Sequence, residues 1–510
     1  MRVLSTLLFA LVLPLAACRC GRGQVDPVPV PGEQALVFTT TASGTQLFEQ
    51  SEVMLIKPSE AGFNRITLTG EKFQAVDGFG LAITQASCYN LLKMSAADRH
   101  AFLEELFSRE TGLGSSLIRV CIGGSDFSMD EFTWCDEPGL EHFAVHPLDE
   151  QYLFPILDEI FAINPAVQII ASPWSAPLWM KVGEDGRTPH SQWFGGHLGE
   201  AYYRDYAEYF VRWIKEMERR GYPIMAVTLQ NEPLHRGNSM STYMSWQEQS
   251  NFIKRGIGPA FAAAGLKTKV LLYDHNYNYD NNGPQQDYPL HIFEDPEAGR
   301  YAAGSAWHNY GGGPAMLDGV HSRFPDKEIY FTEASIGTWN YSFGDCLVND
   351  FRDIFLGTLG RWGKGVTLWN LMLDNQGKPF RPRGCSTCYG AVSIDPASYA
   401  LGSIVRNSHY YDVAHCSRVL QPGAIRLGTA GYTANGLGCQ VYRNPDGSYA
   451  ALLLNETGSD IVLNIVGPNR AVALRLPARA VQSVLWEDCY LDTSTGAWGS
   501  RATAAFQMSL

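Results

Sequence analysis

From about residue 73 to residue 410, short apolar runs rich in β-branched residues alternate with longer stretches whose apolar residues recur at three- and four-residue spacing. That alternation is the pattern of repeated β/α units laid on a parallel sheet. Eight strand runs can be read, at 74–79, 116–122, 167–172, 225–231, 269–274, 304–308, 328–333 and 365–370. The clearest helical stretches are 96–107, 148–163, 200–220, 246–264 and 350–362. Eight such units close into a (β/α)8 TIM barrel, an α/β fold whose functional residues sit at the carboxyl ends of the strands. A doubly wound open sheet would normally carry a three-glycine fingerprint after its first strand. Asp77-Gly78-Phe79-Gly80 lacks the third glycine.

After about residue 411 the pattern changes to short alternating runs separated by turn residues such as Asn444-Pro445-Asp446-Gly447, which reads as an additional all-β sandwich domain at 411–510. The segment 35–72 also alternates, with Leu36 and Phe38, then Ile66 and Leu68. It is expected to supply strands to that sandwich across the intervening barrel. The domain is expected to be structural; its Trp486 and Trp498 are too few to argue a sugar platform.

The first residues belong to neither domain. A basic start, Met1-Arg2-Val3, precedes an apolar run, 4–15, too short for an ordinary membrane span, so 1–17 reads as a signal peptide. Its end, Leu15-Ala16-Ala17-Cys18, resembles the bacterial lipoprotein cleavage box, with Cys18 as the lipidated residue and 18–34, rich in Gly, Pro and Val, as a tether. The chain is thus expected to be exported as a cell-envelope lipoprotein touching membrane only through its anchor, or otherwise secreted. Cys385 and Cys388 are the close pair that remains. They read as a disulfide or as reduced loop cysteines, since no second pair completes a zinc site.

A net charge of −13 without a Lys/Arg cluster interleaved with aromatics argues against nucleic acid as a partner. No His-x-His on the first strand and no His-Glu-x-x-His helix suggest a metal, and no cofactor is implied. Two glutamates at strand ends point elsewhere. Glu232 follows the fourth strand in Gln230-Asn231-Glu232-Pro233, and Glu333 closes the seventh in Phe331-Thr332-Glu333-Ala334. In one barrel these ends face each other across a cleft. Two carboxylates there are the equipment of glycoside hydrolysis, one protonating the leaving oxygen while the other attacks the anomeric carbon or directs water. Burial and the negative neighbour are expected to raise the pKa of the acid.

The chain resembles glycoside hydrolase family 30, the glucosylceramidase and endo-β-1,6-glucanase group, over nearly all of its mature length. The carriers are Asp77-Gly78-Phe79-Gly80, then Ile118-Arg119-Val120 with Ser125-Asp126-Phe127-Ser128, then Ala171-Ser172-Pro173-Trp174-Ser175-Ala176-Pro177. Further along stand Asn231-Glu232-Pro233, His308-Asn309-Tyr310, Thr332-Glu333-Ala334 and Leu368-Trp369-Asn370. The resemblance implies a retaining enzyme with Glu232 as acid/base and Glu333 as nucleophile, working through a covalent glycosyl-enzyme. It implies that Asn231 binds the sugar 2-hydroxyl, that Arg119 and Tyr310 partner the nucleophile, and that Asp126, Trp174 and Trp369 bind the terminal glucose. His308 matches a motif residue near the nucleophile.

The substrate is then a carbohydrate or glycolipid. The first reading is a glucosylceramidase-like exo-β-glucosidase, and the alternative an endo-β-1,6-glucanase on the same scaffold. A silent glycan-binding lipoprotein is disfavoured, because binding needs no nucleophile. Loops 183–197, 275–279 and 373–389 shape the leaving-group side and align with no one subgroup, which leaves the choice open.

Overall fold

The computed structural model describes residues 33–488 and, beyond them, the backbone of Tyr490–Asp492 and Ala497–Gly499. The expected leader, Cys18 and most of the tether lie outside the described residues.

Eight parallel strands form the central sheet: Gly78–Leu81, Leu117–Cys121, Gln168–Ser172, Ile224–Thr228, Lys269–Asn276, Gly304–His308, Glu328–Glu333 and Gly363–Leu368. Neighbours in sequence are neighbours in space, with the eighth strand pairing with the first. The ring closes between strands one and two through an Ala82–Arg119 bridge and an Ile83 N–H donated to the Arg119 carbonyl at 2.8 Å. Closure explains the glycines of the first strand: a Cβ on Gly80 would lie 1.8 Å from the Leu117 carbonyl oxygen. They serve strand approach rather than phosphate binding.

The first barrel strand differs from the expected 74–79. Gln74 and Ala75 end a long sandwich strand, Arg65–Ala75, and the barrel strand begins at Gly78. Extended chain continues through both, so apolar patterning alone does not mark the handover.

The surrounding helices form where the spacing predicts. Tyr203–Arg219 buries Tyr206, Phe210, Trp213, Ile214 and Met217 along one face. Ala96–Phe107 starts at Ser95, whose hydroxyl accepts the Asp98 N–H at 3.1 Å. The last helical stretch begins at Phe343, ahead of the expected 350.

Nine strands hydrogen-bond in a closed circuit to make the sandwich domain, and three come from before the barrel: Gln34–Thr41, Glu49–Ile56 and Arg65–Ala75. Gln34–Thr41 pairs with Ala480–Trp486, joining segments from either side of the barrel. Alternation assigns its faces. Ala35 and Val37 enter the sandwich core with Leu453, Leu463 and Trp486, while Leu36 and Phe38 pack into the barrel's outer core. The buried helix Ser408–Ser417 runs through the expected changeover at 411. Its His415 is held between Thr40 Oγ1 and Ser483 Oγ, both at 2.9 Å, pinning the last barrel helix to both ends of the sandwich.

Candidate active site

Alternation along the barrel strands stacks two layers inside the ring. The lower is apolar: Leu117, Ile170, Ala226, Leu271, Ala306 and Tyr330. Two positions further along most of these strands stand Arg119, Ser172, Thr228, His308 and Thr332, all buried and all polar. Strand five reaches the same level with Asp274 through a register shift between Tyr273 and His275, where Tyr273 and Asp274 take positive φ of 75° and 69°.

Asp274 is the hub of this upper layer. Its Oδ2 accepts from Arg119 Nη2 at 2.8 Å, Ser172 Oγ at 2.9 Å and Thr228 Oγ1 at 2.7 Å. Its Oδ1 accepts from Thr332 Oγ1 at 2.6 Å and faces His308 Nε2 at 3.0 Å. Burial pushes this carboxyl up, but Arg119, His308 and Thr332 together hold it well below the usual carboxylate range.

The two glutamates sit on this layer. Glu333 Oε2 accepts from Arg119 Nη1 at 2.5 Å and its Oε1 from the Tyr310 hydroxyl at 3.0 Å. Glu232, at a positive φ of 46°, faces His308 Nδ1 at 3.4 Å. Carboxylate oxygens of Glu232 and Glu333 and a ring nitrogen of His308 lie within 4.8 Å of one another. Asn231 Oδ1 accepts from Arg119 Nη2 at 2.7 Å, which fixes the amide and leaves its NH2 free to donate elsewhere. The structure thus brings Arg119, Asn231, Glu232, His308, Tyr310 and Glu333 into one network, with His308 nearer Glu232 than the sequence resemblance implies.

The charge distribution departs from the expectation. Burial pushes Glu232 up, but the His308 hydrogen bond and the fields of His275, His308 and His235 outweigh it and hold the carboxyl at about 2. Glu333 is raised, chiefly by burial and further by Glu232, against His308 and Arg119. His308, despite burial, is lifted to about 9 by Glu333, Asp274 and Glu232. The surrounding fields therefore favour a proton on His308 over one on Glu232, and the interacting groups titrate together. The expectation of a raised Glu232 missed the three histidines because they converge from separate loops and strands.

Above the glutamates opens a cleft of about 270 Å³, lined among others by Asp126, His235, Tyr310, Trp369, Arg383 and Cys385. Trp369 stacks on Trp174, ring centres 4.9 Å apart, and the Arg119 guanidinium lies 5.0 Å from the Trp174 ring. Trp174 is 1% exposed, and of the two stacked rings Trp369 is the one that lines the cleft. Asp126 also departs from expectation. Burial first, then the charges of Glu333 and Glu232, push it to about 8, so near neutrality it holds a proton and can donate as well as accept. Its Oδ2 accepts the Cys385 N–H at 3.4 Å. Cys385 and Cys388 form a disulfide that staples this wall.

Sequence reasoning missed Asp274, Ser172, Thr228 and Thr332 as site residues. The signal was present: on strands three, four and seven the polar residue stands two places beyond an inward apolar one. Among the described residues, Glu232, His308 and Glu333 are the group whose ligand atoms are close enough to share a metal ion. A cation there would compete with Arg119 for Glu333 and with the charge on His308.

Comparison with known proteins agrees with this geometry. The glycosyl hydrolase family 30 TIM-barrel domain matches residues 76–420, and the family's β-sandwich domain matches 423–484. The chain is 34% identical over 423 residues to an endo-1,6-β-D-glucanase of Trichoderma harzianum, covering 78% of this chain and 81% of that one. It is 26% identical to the lysosomal acid glucosylceramidase of Mus musculus, covering 91% of each. The solved structure of the endo-β1,6-glucanase BT3312 superposes with a TM-score of 0.86 at 48% identity, covering 89% of this chain and 99% of that one. With both domains matched in order and the strand-end carboxylates in place, the chain belongs to glycosyl hydrolase family 30 and is an O-glycosyl hydrolase.

Proposed function

We propose that this protein is a retaining endo-β-1,6-glucanase, with Glu333 as nucleophile and Glu232 as acid/base. The observation that carries the mechanism is the closeness of the two carboxylates, with oxygens within 4.8 Å. Retention needs carboxyl groups at about 5–5.5 Å, whereas inversion needs roughly 6.5–9.5 Å to seat a water.

Arg119 and Tyr310 orient Glu333 and hold its charge toward the anomeric carbon. In the first step a Glu333 oxygen bonds to that carbon, the glycosidic C–O bond breaks, and the leaving oxygen takes a proton from Glu232. The His308–Glu232 contact supplies that proton: passing it from Nδ1 leaves a neutral acid facing the leaving oxygen. As Glu333 loses its charge, the main field holding a proton on His308 disappears, which favours neutral His308 beside the Glu232 carboxylate. That carboxylate then takes a proton from water, whose oxygen bonds to the anomeric carbon and releases Glu333. The free amide of Asn231 donates to the 2-hydroxyl, an interaction that strengthens in the transition state. Asp126 and Trp369 hold the remaining hydroxyls and the face of the sugar.

The linkage reading rests on likeness: 48% identity to one endo-β1,6-glucanase and 34% to another, against 26% to a glucosylceramidase. It reverses the order of the two readings drawn from sequence, and the exo-acting glucosylceramidase type stands second. The anchor at Cys18 belongs to the same proposal and would place cleavage at the cell envelope; unchanged membrane association of Cys18→Ala would remove it.

The test is product size. Purified mature protein should release a ladder of oligosaccharides from β-1,6-glucan, whereas glucose alone from the start would favour the exo reading. Glu333→Gln should abolish turnover. Glu232→Ala should keep glycosylation by an aryl glycoside with a good leaving group and recover turnover with azide. Equal, azide-insensitive losses would overturn the two roles.

A further inference from the structure

A second cavity, of about 330 Å³, shares no lining residue with the catalytic cleft. Its walls include the rings of Tyr89, Phe380 and Tyr399, with Met129, Asp374 and Lys378. The same long loop builds both: Asp374, Lys378 and Phe380 line the cavity, and Arg383, Gly384, Cys385 and Cys388 line the cleft. Arg381 stands between them. Its N–H donates to the Asp126 carbonyl at 2.7 Å and its guanidinium to the Met129 carbonyl at 3.0 Å.

Three polar groups in this cavity have hydrogen-bonding capacity that no described residue takes up. Asp374 Oδ1 accepts from the Gln376 and Lys378 N–H groups, both at 2.8 Å, but no donor among the described residues reaches Oδ2. The Tyr89 and Tyr399 hydroxyls likewise have no hydrogen-bond partner among the described residues. All three line the same cavity. Asn90 Nδ2 donates to the Lys378 carbonyl at 3.0 Å, fixing the wall to the helix that carries Tyr89.

Flat rings beside a carboxylate and two unengaged phenols fit a neutral polyhydroxylated ligand, whose C–H faces stack while its hydroxyls bridge the polar heads. One carboxylate and one lysine give no net charge to select an ion. We propose that this cavity is a second glucan-binding site, holding one or two glucosyl residues of the polymer whose cleavage takes place in the neighbouring cleft. The choice of glucan rests on the proposed function; the choice of a neutral sugar rests on the cavity itself.

The test uses the full mature chain carrying Glu333→Gln, titrated calorimetrically with gentiotetraose and, separately, cellotetraose, with and without the conservative pair Tyr89→Phe and Tyr399→Phe. Two binding events are expected with gentiotetraose, one weakened about tenfold by loss of the two hydroxyls and one unchanged. A single event, or two that the substitutions leave alone, would overturn the site. Binding of cellotetraose alone at the sensitive site would keep a sugar site but overturn its assignment to the β-1,6 polymer. The catalytic reading fails separately, by the absence of products from β-1,6-glucan with the unsubstituted enzyme.

Discussion

Asp274 at the top of the barrel and Asp412 in the helix Ser408–Ser417 are both fully buried, yet burial has opposite consequences for them. Asp274 meets Arg119, His308 and three hydroxyls and is held well below the usual range. Asp412 packs toward the helix Phe343–Asp350 with neither carboxylate oxygen hydrogen-bonded, and burial followed by the charge of Asp350 pushes it well above. Its neighbour His409 faces Asp350 instead, at 3.1 Å. Asp126 lies between the extremes, with one long N–H contact and a value of about 8. Burial sets the cost of a charge, and convergent donors decide whether the charge survives it.

Of these three buried carboxylates, the paired one should give the largest effect when removed. Asp274→Ala leaves Arg119 and His308 without their common partner, and breaking a buried pair costs about 3–5 kcal/mol. If a similar amount of transition-state stabilisation is lost, kcat/KM falls roughly 150- to 5,000-fold. Rates on β-1,6-glucan together with denaturant melts check this, and a loss under threefold in a folded variant would show that the hub is dispensable.

Asp412 should behave in the opposite sense. Above about pH 4 the unfolded chain releases this proton while the folded chain keeps it. Its contribution therefore falls as pH rises, by up to about 1.4 kcal/mol per unit until the folded carboxyl ionises. Asp412→Asn removes that dependence, so variant minus wild-type stability should grow more positive between pH 5 and pH 8. An equal difference at both would mean that Asp412 has found a partner.

The smallest effect tests the intermediate case. Among the described residues Cys385–Cys388 is the one disulfide. Reducing it frees the loop that presents the Cys385 N–H to Asp126. Losing one such hydrogen bond should raise KM about two- to tenfold with little change in kcat. A parallel fall in kcat would place the disulfide's influence on the glutamates instead.

Much of this was legible in the chain. Strands three, six and seven fall within the expected runs, strand four starts one residue early at Ile224 and strand five runs on to Asn276, because the hydrophobic period is local and each run lies between turn signals. Glu232 and Glu333 could be named because a carboxylate at a barrel strand end is placed by its strand. The first strand was misplaced, since Arg65–Ala75 and Gly78–Leu81 read as one extended run and only their partners separate them. Trp174 carried the same motif evidence as Trp369, and its stacking on that ring depends on a contact between the segments that follow strands three and eight.

By itself, then, the sequence determined the eight-fold alternation, the all-β end of the chain and the two strand-end glutamates, because periodicity and turn chemistry act within a few residues. Only the tertiary structure decided that Asp274 anchors the site, that the fields of distant residues favour a proton on His308 over one on Glu232, and that one loop lines two cavities. Those properties are sums of fields and contacts from residues far apart in the chain, and no local pattern encodes such a sum.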